Sequence, residues 1–285
     1  MGGLRALFMA LAVLIVQMPA THAQRAPVRY RPSVGQVGKD AVWVPTPQAL
    51  VARILTMAKL TSKDFVVDLG SGDGRIVIAA ARDFGVRALG IEYDPDMVAL
   101  SRRNAREAGV AGRVKFIQAD LFDTDLCHAD VVIMYLMPHL LARLRPRLQQ
   151  LQPGTRLVSL SFGMGDWQPD ERVARDGRHA YFWIVPAKVA GDWQLSDERG
   201  GNIRLALMQQ HQFITGSARC EGAAVKLRKP ALSGAHIRFV IAVRAGEKRE
   251  YVGEIDGDGM RGTFHTASGA GGQWTARRIP DRVVS

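Results

Sequence analysis

The sequence contains few cysteines, and their positions exclude several classes of protein. Only Cys127 and Cys220 occur among 285 residues, far apart and outside any CxxC motif. This excludes a disulfide-rich scaffold and a zinc ribbon. One disulfide between the two residues stays open in an oxidising compartment, and we favour the interpretation that both are free thiols. The sequence also lacks repeats, low-complexity tracts, arginine-rich tracts and basic motifs interleaved with aromatics. We therefore predict no sequence-specific nucleic-acid partner.

A long apolar run is missing at the amino terminus. The stretch from Ala6 to Met18 is shorter than the about 20 residues that a membrane span needs. Arg5 precedes it and Thr21-His22-Ala23 resembles a cleavage site, so we predict a signal peptide over residues 1–23 and export to the periplasm or cell envelope. The alternative is a membrane anchor with the body of the protein in the cytoplasm. Three following arginines support that alternative because they outnumber Arg5 (Arg25, Arg29 and Arg31).

The overall composition is that of a globular protein with a basic surface. Hydrophobic residues make up 47% and charged residues 23%, which excludes a mainly disordered chain. The net charge of +11 favours acidic partners, anionic lipid or nucleic acid but does not specify a fold. Residues 24–42 contain prolines and glycines without an apolar period, and we interpret them as a linker.

Strand-like and helix-like segments alternate from residue 43 to about residue 188. A helical apolar pattern from Leu50 to Ala58 follows Thr46, which we expect to cap it. Short apolar strands alternate with further helical segments, and this alternation predicts an α/β domain whose parallel sheet is covered on both faces. The predicted strands are 64–69, 87–93, 114–119, 129–135 and 156–162, followed by an isolated strand, Tyr181–Val185.

The pattern changes after Pro186, where we find only strand-like runs punctuated by glycines. We predict a small antiparallel β domain over residues 189–285. The segment from Asp256 to Gly259 is interpreted as a hairpin turn, because the further ligands of a calcium loop are absent. The domain begins and ends with similar segments that contain Trp193 and Trp274. We expect these segments to pair and to bury both tryptophans.

A glycine-rich loop between the first strand and the next helix is the strongest functional signal. Asp68 is followed by Gly70, Ser71, Gly72 and Gly74, and the spacing differs from the GxGxxG of dinucleotide enzymes. Glycines allow a tight turn and the close approach of a ligand. An acid at position 68 would repel a pyrophosphate and suits a cationic or amine-bearing ligand. We therefore predict that this loop binds a cationic or amine-bearing ligand.

Two further acids end the next two strands. Glu92 is placed to accept hydrogen bonds from both hydroxyl groups of a ribose. Asp120, followed by Leu121, is placed to accept a hydrogen bond from an adenine amino group. Because parallel strands end at the same edge of a sheet, these acids and Asp68 are expected to lie along one binding edge.

These motifs resemble those of the class I S-adenosylmethionine-dependent methyltransferases. Three segments are similar to a subfamily that contains archaeal and mitochondrial protein lysine methyltransferases: Trp43-Val-Pro-Thr-Pro47, Asp68-Leu-Gly-Ser-Gly-Asp-Gly-Arg-Ile-Val77 and Tyr135-Leu-Met-Pro138. The resemblance implies a Rossmann-like sheet of seven strands with one antiparallel strand, for which Tyr181–Val185 is the candidate. It also implies S-adenosylmethionine as the cofactor and a protein lysine as the methyl acceptor.

The same resemblance assigns roles to individual residues. The loop glycines and Ser71 would face the methionine part of the cofactor, Asp68 its amino group, and Asp120 and Leu121 its adenine. Tyr135 would be a catalytic residue beside the acceptor, and no metal is expected. Two alternatives stay open, a small-molecule methyltransferase and a non-catalytic envelope module that retains the fold. Membrane association and the oligomeric state also stay open.

Overall fold

A computed structural model describes residues 30–175, 177–220, 222–243 and 246–280, which form two β-sheets and four helices. None of the helices in these residues is long and apolar enough to cross a bilayer. The predicted signal peptide or anchor at residues 1–23 lies outside the described residues, as do residues 24–29 of the predicted linker.

The first sheet has seven strands in the order β3-β2-β1-β4-β5-β7-β6. All neighbours pair in parallel except β7, which is antiparallel to β5 and β6. This confirms the predicted seven-stranded α/β sheet and the antiparallel strand near Tyr181. The strands are β1 Phe65–Leu69, β2 Arg87–Glu92, β3 Val114–Gln118, β4 Val131–Met134, β5 Arg156–Leu160, β6 Glu171–Arg175 and β7 Arg178–Ile184.

Four helices, α1 Gln48–Met57, α2 Arg75–Phe84, α3 Pro95–Glu107 and α4 Pro138–Leu148, accompany this sheet, and two apolar cores are buried with it. The start of α3 is fixed by Asp94, whose side chain accepts a hydrogen bond from Asp96 N at 2.8 Å. The prediction that Thr46 caps α1 is wrong. Pro47 is the N-cap residue because its carbonyl accepts the first helical bonds, and Thr46 is buried beside it.

Strand β6 was not predicted from the sequence. It lies at the border of the sheet and pairs only with β7. Glu171, Arg172 and Ala174 are exposed there, so β6 lacks the apolar run by which the buried strands are recognised. The Tyr181 strand is consequently not isolated, because β6 and β7 form a hairpin.

The second sheet is antiparallel and closes on itself. Each strand pairs with its neighbour in the chain, except β11 and β12, which do not pair with each other, and the first strand also pairs with the last. Leu227 N donates to Gly216 O of β10 at 3.0 Å, and the next residue, Arg228, pairs with Val240 of β13. Strands β11 and β12 are thus two halves of one strand that completes the ring. The strands are β8 Gly191–Asp197, β9 Asn202–Gln210, β10 Phe213–Cys220, β11 Ala223–Lys226, β12 Arg228–Ser233, β13 His236–Ala242, β14 Lys248–Asp256, β15 Gly259–Thr266 and β16 Gly271–Arg278.

The two tryptophan-bearing segments meet at the seam of this closed sheet. Strands β8 and β16 pair, and Trp193 and Trp274 are both buried, as predicted. The Asp256–Gly259 turn joins β14 to β15, which confirms the predicted hairpin. The sequence from Ile203 to Thr215 has the apolar pattern of a single strand-like run, but it forms two strands, because the chain reverses at His211, which has a φ of +55°.

The closed sheet contacts the first sheet's domain through the turn between β9 and β10. Gln212 Nε2 donates to Gln168 O at 2.7 Å, and Trp167 Nε1 donates to Gln212 Oε1 at 3.2 Å. The His211 ring stacks on Trp167 with their centroids 5.8 Å apart. The expected division near residue 188 falls in the connection between β7 and β8.

Candidate active site

A cavity lies at the carboxyl edge of the first sheet, where β1, β2 and β4 end. It is lined by eight of the nine site residues that we predicted from the sequence: Asp68, Gly70, Ser71, Gly72, Glu92, Asp120, Leu121 and Tyr135. The parallel strands explain this convergence, because their carboxyl ends meet at one edge of the sheet.

The glycine loop needs glycine at two positions for different reasons. Gly72 has a φ of +54°, and a Cβ there would lie 2.6 Å from Trp43 Nε1. Gly74 is the one predicted site residue that does not line the cavity. It precedes α2 and has a φ of +82°. A Cβ at Gly74 would lie 2.7 Å from Phe116 Cζ. Gly74 therefore permits the close packing of α2 on β3 and does not contact the cavity.

Asp68 is a buried acid with an unpartnered oxygen. Its Oδ2 has no hydrogen-bond partner, and neither has the buried hydroxyl of Ser71 nearby in the same lining. Burial raises the pKa of Asp68 to about 8, and the charges of Glu92 and Asp73 contribute in the same direction. An unpartnered buried carboxyl group is costly unless a donor reaches it. The position suits the ammonium group of a ligand.

Glu92 is held in place by the backbone around it. Its Oε2 accepts from Gly72 N at 2.8 Å, and its Oε1 accepts from Tyr93 N at 2.8 Å and from Asp94 N at 3.0 Å. The carboxylate therefore ties the glycine loop to the end of β2, a role that the sequence did not reveal. Because each carboxylate oxygen can accept two hydrogen bonds, Oε2 retains capacity for a ligand hydroxyl.

Asp120 is paired with a cation from the amino-terminal part of the chain. Its Oδ1 accepts from Phe122 N at 2.9 Å, and its Oδ2 accepts from Lys39 Nζ. The hydrogen bond from Lys39 holds the pKa of Asp120 below its usual range. The ammonium of Lys39 also lies 4.9 Å from the centroid of the Tyr93 ring. Lys39 thus sits beside the acid that we assigned to adenine.

Residues 35–43 form a hairpin that builds one wall of the cavity. Trp43 N donates to Gln36 O at 2.8 Å, Gly35 N donates to Trp43 O at 2.9 Å, and Val37 bridges to Val42. This part of the predicted linker is therefore ordered. The sequence missed it because the hairpin is fixed by contacts with distant residues and has no apolar period of its own.

The cavity is acidic although the protein is basic. Its lining contains six carboxyl groups and two basic groups, in a chain of net charge +11. Both basic groups are paired, Lys39 with Asp120 and Arg75 with Asp73. Such a lining repels phosphate groups and attracts cations. S-adenosylmethionine carries a sulfonium and an ammonium group, so the residues present fit this cofactor.

Comparisons with known proteins decide the family. A family model described as the ANTKMT methyltransferase domain matches residues 68–171. A protein-lysine N-methyltransferase of Saccharolobus islandicus is 41% identical over 149 residues, which cover 50% of this chain and 92% of that protein. The chain belongs to this family of class I protein lysine methyltransferases. Membership confirms the resemblance stated above and S-adenosylmethionine as the cofactor.

Other relatives show the range of this methyltransferase family. The mouse adenine nucleotide translocase lysine N-methyltransferase is 42% identical over 106 residues, covering 36% of this chain and 46% of that protein. The chain thus spans about half the length of that relative. A crystal structure described as an RNA methyltransferase from Salinibacter ruber with S-adenosyl-L-homocysteine superposes with a TM-score of 0.51 at 51% identity. It covers 51% of this chain and 96% of that one.

Proposed function

We propose that this methyltransferase transfers a methyl group to the side-chain amine of lysine in a protein. The observation that carries the proposal is the acidic cavity, in which Asp68, Glu92 and Asp120 line one pocket with Tyr135. The relatives named as lysine N-methyltransferases support the same acceptor.

Each acid has a proposed role toward the cofactor. When bound, S-adenosylmethionine supplies a methyl group on an already activated sulfonium. The unpartnered oxygen of Asp68 would accept from its ammonium group, the free capacity of Glu92 Oε2 from its ribose, and Asp120 from its adenine amino group. These three contacts would hold the cofactor along the sheet edge.

Tyr135 is the proposed residue for the acceptor amine. It follows β4 and lines the cavity together with Thr46 and Leu140. A displacement in line with the sulfonium requires a neutral amine held about 3 Å from the methyl carbon. The Tyr135 hydroxyl would orient that amine, and the proton of the lysine must leave before transfer.

The buried carboxyl group of Asp68 also argues against a module that has lost its ligand. A group whose burial raises its pKa to about 8 costs stability when ionised, and a module without a ligand gains nothing from it. A small-molecule acceptor remains the second candidate from the sequence, since the acidic cavity attracts any amine.

The proposal is tested by offering several acceptors to the purified protein. We expect mass spectrometry to find methyl groups on lysine in protein or peptide substrates, at a rate that rises with pH as the free amine fraction grows. Peptides with arginine in place of lysine serve as the matched control and should stay unmodified. Transfer only to small amines or only to RNA would overturn the lysine assignment. Cofactor binding without transfer to any acceptor would favour the binding module.

We further propose that the chain is exported with cleavage of residues 1–23, on the basis of the amino-terminal sequence alone. Cell fractionation combined with the mass of the mature chain tests this. An intact amino terminus in the membrane fraction would instead support the anchored alternative, with the catalytic domain in the cytoplasm.

A further inference from the structure

Four neighbouring strands of the closed sheet, β9 to β12, differ in charge from the rest of it. Between residues 202 and 233 the sequence contains a single acid, Glu221, whereas the other eight acids of residues 191–280 lie before β9 or after β12. Five basic residues share this acid-poor region: Arg204, Arg219, Lys226, Arg228 and Lys229.

The register shows that basic side chains of these strands point outward together. Arg204 lies directly opposite Arg219, and Lys226 lies opposite Ser217, while the alternate residues of β9 are buried in the ring. Like charges directly opposite one another destabilise a sheet, so this arrangement does not serve folding. Arg204 has an ion pair to Asp192. Among the described residues, the other four basic side chains have no ion pair and no hydrogen bond.

The same outward side also exposes two large apolar side chains. Met208 is 67% exposed and Phe213 is 56% exposed. Met208 pairs with Thr215 and Phe213 pairs with Gln210, so the two side chains are diagonal neighbours on adjacent strands. We define the basic face as the outward side chains of β9–β12, which combine the uncompensated cations of Arg219, Lys226 and Arg228 with this apolar pair.

We propose that the basic face docks on the surface of an anionic lipid bilayer. The cations would contact lipid phosphates, and Phe213 and Met208 would enter the interfacial layer, so that electrostatic attraction and apolar burial act together. A nucleic acid explains the face less well. Stacking of bases needs several aromatic side chains, and Phe213 is the single Phe, Tyr or Trp residue between 202 and 233. This docking does not depend on the identity of the methyl acceptor.

Vesicle flotation measures the docking directly. The chain is begun at Gln24, because the described helices and strands all lie beyond it and the apolar run Ala6–Met18 would bind vesicles itself. Vesicles of phosphatidylglycerol and phosphatidylcholine should bind this chain, and vesicles of phosphatidylcholine alone should not. The triple variant Arg219→Gln, Lys226→Gln and Arg228→Gln should bind anionic vesicles on the order of 100-fold more weakly, about fivefold for each charge.

A matched variant separates the basic face from the net charge of the chain. The control is a second triple variant, which carries Lys63→Gln, Arg106→Gln and Lys115→Gln. It removes three exposed cations from the first sheet's domain, and the three changes together should alter vesicle binding by less than about threefold. Equal losses in the two triple variants would overturn the proposal. So would vesicle binding that survives in the basic-face variant while its binding to single-stranded RNA is lost.

A second measurement covers the case in which the triple variant fails to fold. In the otherwise unchanged chain, Phe213→Trp places a fluorophore on the basic face. The wild-type chain has five tryptophans, so the emission of residue 213 is measured as the difference between the variant and wild type. This added emission should be quenched by brominated phosphatidylglycerol vesicles, because the ring would enter the interfacial layer. If it stays unquenched in protein that floats with the vesicles, another surface docks and the proposal is overturned.

Discussion

Substitution of Asp68 by asparagine tests whether the cavity is built around a buried acid. The pKa of Asp68 rises from 3.8 to about 8 on folding, mainly because the carboxyl group is buried. The folded protein thus binds this proton more tightly than the unfolded chain does. The contribution of Asp68 to stability is therefore present at low pH and is lost as the pH rises from about 4 to 8. At 1.36 kcal/mol per pKa unit, the whole loss amounts to about 6 kcal/mol.

Urea unfolding of the cofactor-free protein at pH 5 and pH 9 measures this loss. Wild type should lose more stability than Asp68→Asn between the two pH values. The difference should be about 4 kcal/mol, because part of the loss has already occurred below pH 5 and the other titrating groups cancel. Asp123→Asn is the matched control, since Asp123 is exposed and outside the cavity lining. It should follow wild type at both pH values. Parallel pH dependence of wild type and Asp68→Asn would refute the reasoning.

Binding of the cofactor should release the proton of the Asp68 carboxyl group into solution. At pH 7 about nine-tenths of Asp68 is protonated in the cofactor-free protein, given a pKa of about 8. An ammonium group placed against Oδ2 favours the ionised form, so binding should release nearly one proton per cofactor. Calorimetry in two buffers of different ionisation enthalpy measures this release, and Asp68→Asn should abolish it. Binding without proton release would place the ammonium group elsewhere.

Three further predictions concern other parts of the molecule. Glu92→Gln should weaken S-adenosylmethionine binding by about 1–3 kcal/mol in calorimetry, since a charged acceptor is lost; unchanged affinity would contradict the ribose role. Tyr135→Phe should lower kcat while the cofactor Kd stays near wild type, and a comparable loss of affinity would move Tyr135 into the cofactor site. A chain ending at Ala187 should still bind cofactor, because no residue that the structure describes beyond Leu140 lines the cavity. It should be less soluble than the full chain, because Trp167 is no longer covered by Gln212. A folded truncation without cofactor binding would show that the closed sheet completes the pocket.

Local sequence signals were sufficient to predict the first sheet and the site residues at its carboxyl edge. Buried parallel strands appear as short apolar runs, and Asp68, Glu92 and Asp120 each end or follow one of them, so topology alone brings them together. The start of α3 could also be predicted from the sequence, because Asp94 and Pro95 form a local capping signal.

Contacts between distant residues could not be predicted in the same way. The hairpin at residues 35–43 is fixed by Trp43 against Gly72 and by Lys39 against Asp120, and neither contact leaves a local pattern. Strand β6 is exposed and polar, so it lacks the apolar signal of a strand. The ring closes through Leu227, where one strand changes partners, and no periodicity marks such a point.

The pairing of β8 with β16 means that the second sheet can close only long after the first sheet has been synthesised. The first sheet is complete once Ile184 has left the ribosome, whereas Trp193 cannot be covered by its partner strand until Arg278 has been made. At about 5–20 residues per second this interval lasts roughly 5–20 s. During that time β8 is an open edge that can pair with a second nascent chain. A chain that ends after β8 but before β16 keeps that edge permanently, so premature termination in this interval should yield aggregates even though the methyltransferase sheet is complete.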